Sequence, residues 1–319
     1  MRRPAARVLL AGLAGVGLLL TACSPTSGSP RGTAGDGVVN VVASTSVYGD
    51  IVSSIGGDKV RVSSIINRTS QDPHSYEATT QDKLAVSKAE LVVENGGGYD
   101  AFMDTLATDT GLDRGSVISA VDVSGLASES PAAASPDSAG HTHGSTGLNE
   151  HVWYSLPAMS RLADAVAGKL GSLEPASAQT FRSNAAAFKD SLGGLETKLA
   201  AIKSSAGHAP VAVTEPVPLY LLEDAGLENE TPAEYTAAIE EDADVPPAVL
   251  KTTVDLLASR GVRLLAYNTQ TEGPQTAAVK KAAENAGVPV VNFSETLPDG
   301  QSYLQWMTGN VESIGKALG

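Results

Sequence analysis

The chain of 319 residues contains a single cysteine, Cys23, so no disulfide can close within it. Aromatic residues make up only 4%, against 42% hydrophobic residues overall, which leaves Ala, Val and Leu to fill a sizeable core. Basic residues are scarce beside acids, 22 against 36, and the formal net charge of -14 excludes a nucleic-acid partner, whose phosphates would be repelled. There is no His-Glu-x-x-His segment and no Gly-x-Ser-x-Gly elbow, so the common zinc-protease and serine-hydrolase signatures are missing.

The start of the chain explains the cysteine. Arg2, Arg3 and Arg7 precede an apolar run over residues 8–20, followed by Leu20-Thr21-Ala22-Cys23. The run is too short for a comfortable membrane span and has the form of a signal peptide. Small residues before the one cysteine resemble the lipobox of bacterial lipoproteins. That likeness implies removal of residues 1–22, lipidation of Cys23 and an extracytoplasmic, membrane-anchored protein. Residues 23–37, rich in Ser, Pro, Gly and Thr, are expected to be a flexible tether.

From residue 38 onward, short β-rich runs alternate with helical periodicity, the pattern of an α/β layer with a largely parallel sheet. Strands are expected at 38–43, 60–66 and 91–94, with helices after the first, up to 88, and over 99–108. A low-complexity insertion at about 124–148 interrupts the pattern. A helix is expected at 156–173. A long run over 176–203 then carries Phe181, Ala185, Phe188, Leu192, Leu195, Leu199 and Ile202 at helical spacing. At ~1.5 Å per residue it would span roughly 40 Å. Gly193-Gly194 weakens that helix without replacing its period. The second half repeats the first, with strands at 211–214, 262–267 and 288–293 and helices at 217–225, 247–258, 275–286 and 303–318. The fold class is therefore α/β: two doubly wound lobes, 38–172 and 207–319, joined by a single long helix within 173–206.

Residues 140–157, GHTHGSTGLNEHVWYSLP, hold three of the five histidines. His141 and His143 lie in the polar insertion. His151 stands where the chain turns ordered and apolar, beside Trp153 and Tyr154, so it can be held in one orientation, as a metal ligand requires. His74 follows Pro73 in a polar loop beyond the second strand. Glu215 and Glu295 each follow a strand directly. In parallel sheets the loops at the carboxyl strand ends bind ligands. Each position also has a plainer reading: a core or surface histidine, or a carboxylate at a helix start. Together, two imidazoles and two carboxylates suit a borderline divalent ion such as zinc or manganese.

The chain resembles the zinc/manganese solute-binding lipoproteins of bacterial ABC importers. The resemblance rests on the lipobox, Asp72-Pro73-His74 with Tyr76-Glu77, Ala89-Glu90-Leu91-Val92-Val93 with Asn95-Gly96, Asn149 with His151-Val152-Trp153, Thr214-Glu215-Pro216, and the stretch from Glu295 to Trp306. It implies two α/β lobes bridged by one helix, with one divalent metal in the cleft between them. By that resemblance His74, His151, Glu215 and Glu295 are the ligands, and His141 and His143 form an accessory metal loop. The chain departs from the family pattern where Glu150 replaces a proline, Ser155 an aspartate and Glu295 an aspartate. Asp242 and Asp244 are the alternatives for the fourth ligand. The implied partner is an ABC permease, with the protein a monomer that imports metal. Glu215 leans toward manganese and the His141/His143 loop toward zinc, which most such sites also bind more tightly; the balance leans to zinc. The alternative is a secreted zinc-dependent hydrolase with Glu150 as base, although neighbouring residues seldom aim the same way. An enzyme is not the expectation.

Overall fold

Alternation of side chains along each strand sets the architecture. In strand β1 (Val39–Thr45), Val41 and Ala43 face one apolar cluster while Val42 faces another. In β3 (Leu91–Glu94), Leu91 and Val93 face the first cluster and Val92 the second. Both faces are apolar because both are covered by helices, as a parallel sheet requires. The computed structural model describes residues 37–126 and 148–319. Cys23, the tether, His141 and His143 lie outside the described residues.

The first sheet has the order β2-β1-β3-β4, all parallel, adding β2 (Val60–Ile66) and β4 (Val117–Ser119). Its helices are α1 (Ser46–Gly56), α2 (Thr80–Val86), α3 (Phe102–Thr110) and α4 (Ala120–Ser124). The second sheet is built the same way, in the order β6-β5-β7-β8, from β5 (Pro210–Val213), β6 (Glu228–Asn229), β7 (Leu265–Asn268) and β8 (Val290–Phe293). Its helices are α7 (Leu219–Asp224), α8 (Ala233–Glu240), α9 (Pro247–Ala258), α10 (Pro274–Ala286) and α11 (Tyr303–Leu318); α5 (Leu156–Leu173) closes the first half and α6 (Ala178–Ala206) runs between the two.

The expected helix between the lobes is α6, of 29 residues. It begins two residues later than its periodicity predicts because Pro175–Ser177 forms a separate 3₁₀ turn. Its buried stripe is Phe181, Ala185, Phe188, Leu192, Leu195 and Leu199, the stripe expected from the sequence, with Ile202 partly buried beside it. That stripe packs on α5 and α1 of the first half and on α11 and α7 of the second. One apolar cluster therefore runs from Val39 through α5 and α6 to Val211, Ala266 and Ile314.

Polar stitches reinforce it. The Tyr303 hydroxyl donates to the Trp153 carbonyl (2.6 Å) and the Tyr303 amide to Asp50 Oδ2 (2.8 Å). The Tyr154 hydroxyl donates to the Ser294 carbonyl (2.8 Å). Ser155, standing where the resemblance leads one to expect aspartate, caps α5 by accepting from the Ala158 amide (3.4 Å), with Pro157 in the first turn. No helix among the described residues is long and apolar enough to cross a membrane.

Gly193 and Gly194 sit inside α6, and a Cβ on either would meet nothing within 4 Å. Gly194→Ala is expected to raise stability by about 0.5–1 kcal/mol, since it removes backbone entropy from the unfolded chain without a clash. Urea unfolding of the variant checks this, and a loss of stability would contradict it.

Candidate metal centre

Both sheets aim their carboxyl strand ends at one place. Beyond β2, the Asp72 carboxylate accepts from the His74 amide (3.0 Å) and from the Ser75 hydroxyl (2.6 Å), a local turn that presents His74. Beyond β5, Glu215 follows Thr214. Beyond β8, Glu295 follows Ser294, and both acids are buried, at 4% and 5% exposure. His151 is 1% exposed and enters from the segment before α5.

His151 is fixed on several sides. Its Nδ1 faces Asn149 Oδ1 at 2.7 Å, so Nδ1 carries the proton and Nε2 presents its lone pair. Trp153 packs edge-on at 5.2 Å between ring centres and Tyr99 at 5.8 Å. Asn149 is itself tied to the second half: its Nδ2 donates to the Pro216 carbonyl (2.9 Å), and the Tyr220 hydroxyl donates to its carbonyl (2.7 Å). Burial, and then the nearby His74, lower the pKa of His151 to about 3, so it is neutral.

His74, His151 and Glu295 each bring one ligand atom within 4.8 Å of the others. His74 Nε2 is 3.8 Å from Glu295 Oε2, and the Tyr99 hydroxyl donates to the same oxygen (3.2 Å). Glu215 stands beside this group, not inside it. Asn268, the last residue of β7, joins the two acids: its Nδ2 donates to Glu215 Oε2 (2.5 Å) and to Glu295 Oε1 (2.8 Å). The Thr271 hydroxyl also donates to Glu215. Gln270 Oε1 accepts from the Glu295 and Thr296 amides (2.7 and 2.9 Å), and its Nε2 donates across to the Thr69 carbonyl (3.0 Å). Asp242 and Asp244 remain exposed beyond α8 and belong to no such group.

Glu150 differs from its expected orientation. The Val152 amide donates to the Glu150 carbonyl (2.7 Å) around His151, whose φ of -76° and ψ of 49° make an inverse γ-turn. The two neighbours therefore do aim at one place: Glu150 Oε1 lies 3.4 Å from His74 Nδ1. Asn95 Nδ2 donates to the Glu150 carbonyl (3.0 Å) and holds the turn against the first sheet. Among the described residues, no lysine or arginine forms an ion pair with Glu150, Glu215 or Glu295; for Glu150 and Glu295 the pairing group is His74.

The acids respond to this imbalance. Burial and then the charge of Glu295 push Glu215 up to about 8, against the hydrogen bonds from Thr271 and Asn268. Burial and then Glu240 push Glu150 up to about 8. Glu295 is raised by burial and partly restrained by His74. A group of this kind, two imidazoles and several carboxylates with no lysine or arginine among the described residues paired to them, is suited to a divalent transition-metal ion that displaces protons as it binds.

Asn268, Gln270, Tyr99 and Glu240 carry no signal in the sequence. The amides are uncharged and follow an ordinary strand, and Tyr99 follows a glycine run that reads only as a break.

Because the folded pKa of Glu215 and Glu150 lies above the unfolded value, their protonated forms favour the native state. That contribution is complete below about pH 4.5 and is lost as pH rises through about 8. The metal-free protein is therefore expected to lose stability between pH 6.5 and 8, and Glu215→Gln to flatten the loss. Denaturant midpoints across that window measure it, and a rise with pH would contradict it.

Known proteins match this chain along nearly its whole length. The family model described as zinc-uptake complex component A, periplasmic, matches residues 41–317. The metal ABC transporter substrate-binding lipoprotein ScbA of Streptococcus cristatus is 26% identical over 314 residues, 94% of each chain. The manganese ABC transporter substrate-binding lipoprotein PsaA of Streptococcus pneumoniae serotype 4 is 24% identical over 94% of this chain and 95% of its own. Among solved structures, the solute-binding protein FpvC of Pseudomonas aeruginosa in complex with Mn2+ superposes with a TM-score of 0.68 at 25% identity, covering 88% of this chain and 98% of that one. The crystal structure of ZnuA reaches the same TM-score at 21% identity and supports the fold, covering 88% of this chain and 100% of its own. The chain thus belongs to the zinc-uptake component A family, solute-binding proteins of ABC importers and not enzymes.

Proposed function

We propose that this protein captures one divalent transition-metal ion outside the cytoplasmic membrane and delivers it to an ABC permease for import. The observation that carries the reading is the convergence of His74 and His151 with Glu295 within 4.8 Å, on loops from the two sheets, with Asn268 holding Glu215 beside them. The ligands are His74, His151, Glu215 and Glu295. For Glu215 to join the other three, its carboxylate turns from Thr271 toward the ion while Asn268 keeps both acids oriented. The donor set, imidazole nitrogen with carboxylate oxygen, fits zinc and manganese alike. Zinc is the slightly favoured cargo, because raw affinity for such sites is higher for zinc.

Reversibility is part of the function. The protein competes with its own protons for the metal, so acidification weakens binding by protonating the carboxylates, Glu215 among them. The lobes are expected to close only slightly, because α6 and the shared apolar cluster join them. Lipid on Cys23 would hold the protein at the membrane, within reach of the permease.

Metal analysis of residues 24–319, purified without a histidine tag, tests the reading. One tightly held zinc or manganese per chain is expected, reduced in both His151→Ala and Glu215→Ala. Absence of metal from the wild type, with no shift in melting temperature on adding zinc or manganese, would overturn it. Asn268→Ala, which frees both carboxylates without removing a ligand, is expected to weaken binding by about 10- to 100-fold, read by competition with a chromophoric chelator.

A further inference from the structure

A second group of ligand atoms lies next to the first. Glu150, His151 and Glu240 each bring one such atom within 4.8 Å of the others. Glu240 is the final residue of α8, on the half built around the second sheet, and Glu150 adjoins the first sheet through Asn95. Two carboxylates thus face each other from opposite sides of the cleft.

Local structure does not account for Glu240. A carboxylate in the last turn of a helix opposes the helix dipole, and α8 has no basic residue in that turn to offset it. Nor is Glu150 explained by the turn it occupies, which uses its backbone carbonyl and not its side chain. The third member points to a cation. His151 is 1% exposed, its Nδ1 is engaged by Asn149, and its Nε2 has no hydrogen-bond partner among the described residues. That imidazole lone pair, with two carboxylates beside it, forms a mixed nitrogen and oxygen donor set.

His151 belongs to both groups, and one nitrogen lone pair binds one ion at a time. The two positions are therefore alternatives for a single ion. Glu150 touches both, since its Oε1 also lies 3.4 Å from His74 Nδ1.

Resting on the metal-capture reading above, we propose that Glu150 and Glu240, with Nε2 of His151, form an outer position that holds an incoming divalent cation before it passes inward to His74, Glu215 and Glu295. The exchange is a stepwise replacement of carboxylate and water ligands around an ion that keeps His151 throughout. Release to a partner runs in reverse, with Glu150 and Glu240 taking the ion as the inner carboxylates let go. Because the two acids come from opposite halves, an ion between them also cancels a repulsion across the cleft.

Rapid mixing of the metal-stripped chain with Mn2+ or Zn2+, followed by the fluorescence of Trp153 beside His151, tests this. Glu240→Gln is expected to slow association by at least about threefold at high salt, where general steering is screened. Glu241→Gln, the same charge change one residue further on, is expected to leave the rate unchanged. In a His74→Ala/Glu295→Gln background, weak binding of one Zn2+ should persist by calorimetry and be lost on adding Glu240→Gln. Equal rates for Glu240→Gln and the wild type, or equal slowing by Glu240→Gln and Glu241→Gln, would overturn the outer position while leaving metal capture intact. A wild-type chain that binds neither ion would overturn both.

Discussion

Buried carboxylates with no lysine or arginine to pair them are the constraint on which this structure turns. Glu215 and Glu295 are nearly inaccessible to solvent, Glu150 is close by, and no lysine or arginine among the described residues pairs with any of them. Burying such groups together is costly unless they are protonated or a cation arrives. The fold restrains them instead with neutral donors: the amide of Asn268 and the hydroxyls of Tyr99 and Thr271. Neutral donors orient a carboxylate without satisfying its charge. A guanidinium in the same place would compete with the metal.

The remaining architecture serves that restraint. Parallel strands end at a common edge, so loops from β2, β5, β7 and β8 reach one cleft without long excursions. The aromatic residues, few as they are, concentrate where rigidity is needed. Tyr99, Trp153, Tyr154 and Trp306 form a chain of ring contacts from His74 and His151 into the shared core. Leu, Ala and Val suffice elsewhere.

Elements with a clear apolar pattern were legible in the sequence, and those without one were not. β2, β3, α5 and α11 fall at their expected limits because apolar periodicity and clear stops coincide there. β6, two exposed residues long, has no hydrophobic pattern to read, and α8 behind it has one buried residue, Tyr235. Missing α8 meant missing Glu240. For the site, loop placement, read together with the resemblance, pointed to His74, His151, Glu215 and Glu295, of which His74, His151 and Glu295 converge within 4.8 Å. Placement was not enough to find Asn268, because a bridging amide is defined by what it touches across 27 and 53 residues of sequence. Glu150 was misjudged for a related reason. Adjacent side chains diverge in regular helices and strands, and only the tight turn at His151 brings these two together.

The apolar cluster that passes from the first sheet through α5 and α6 to α11 has a consequence for how the protein is made and read. Two lobes with matching topology suggest two modules, yet one apolar cluster runs through both, and α6 packs on α1 and α5 on one side and on α7 and α11 on the other. The symmetry is one of layout and not of autonomy. A core held in common ties the halves together, so an ion bound by a few atoms in the cleft stabilises both of them and not one alone.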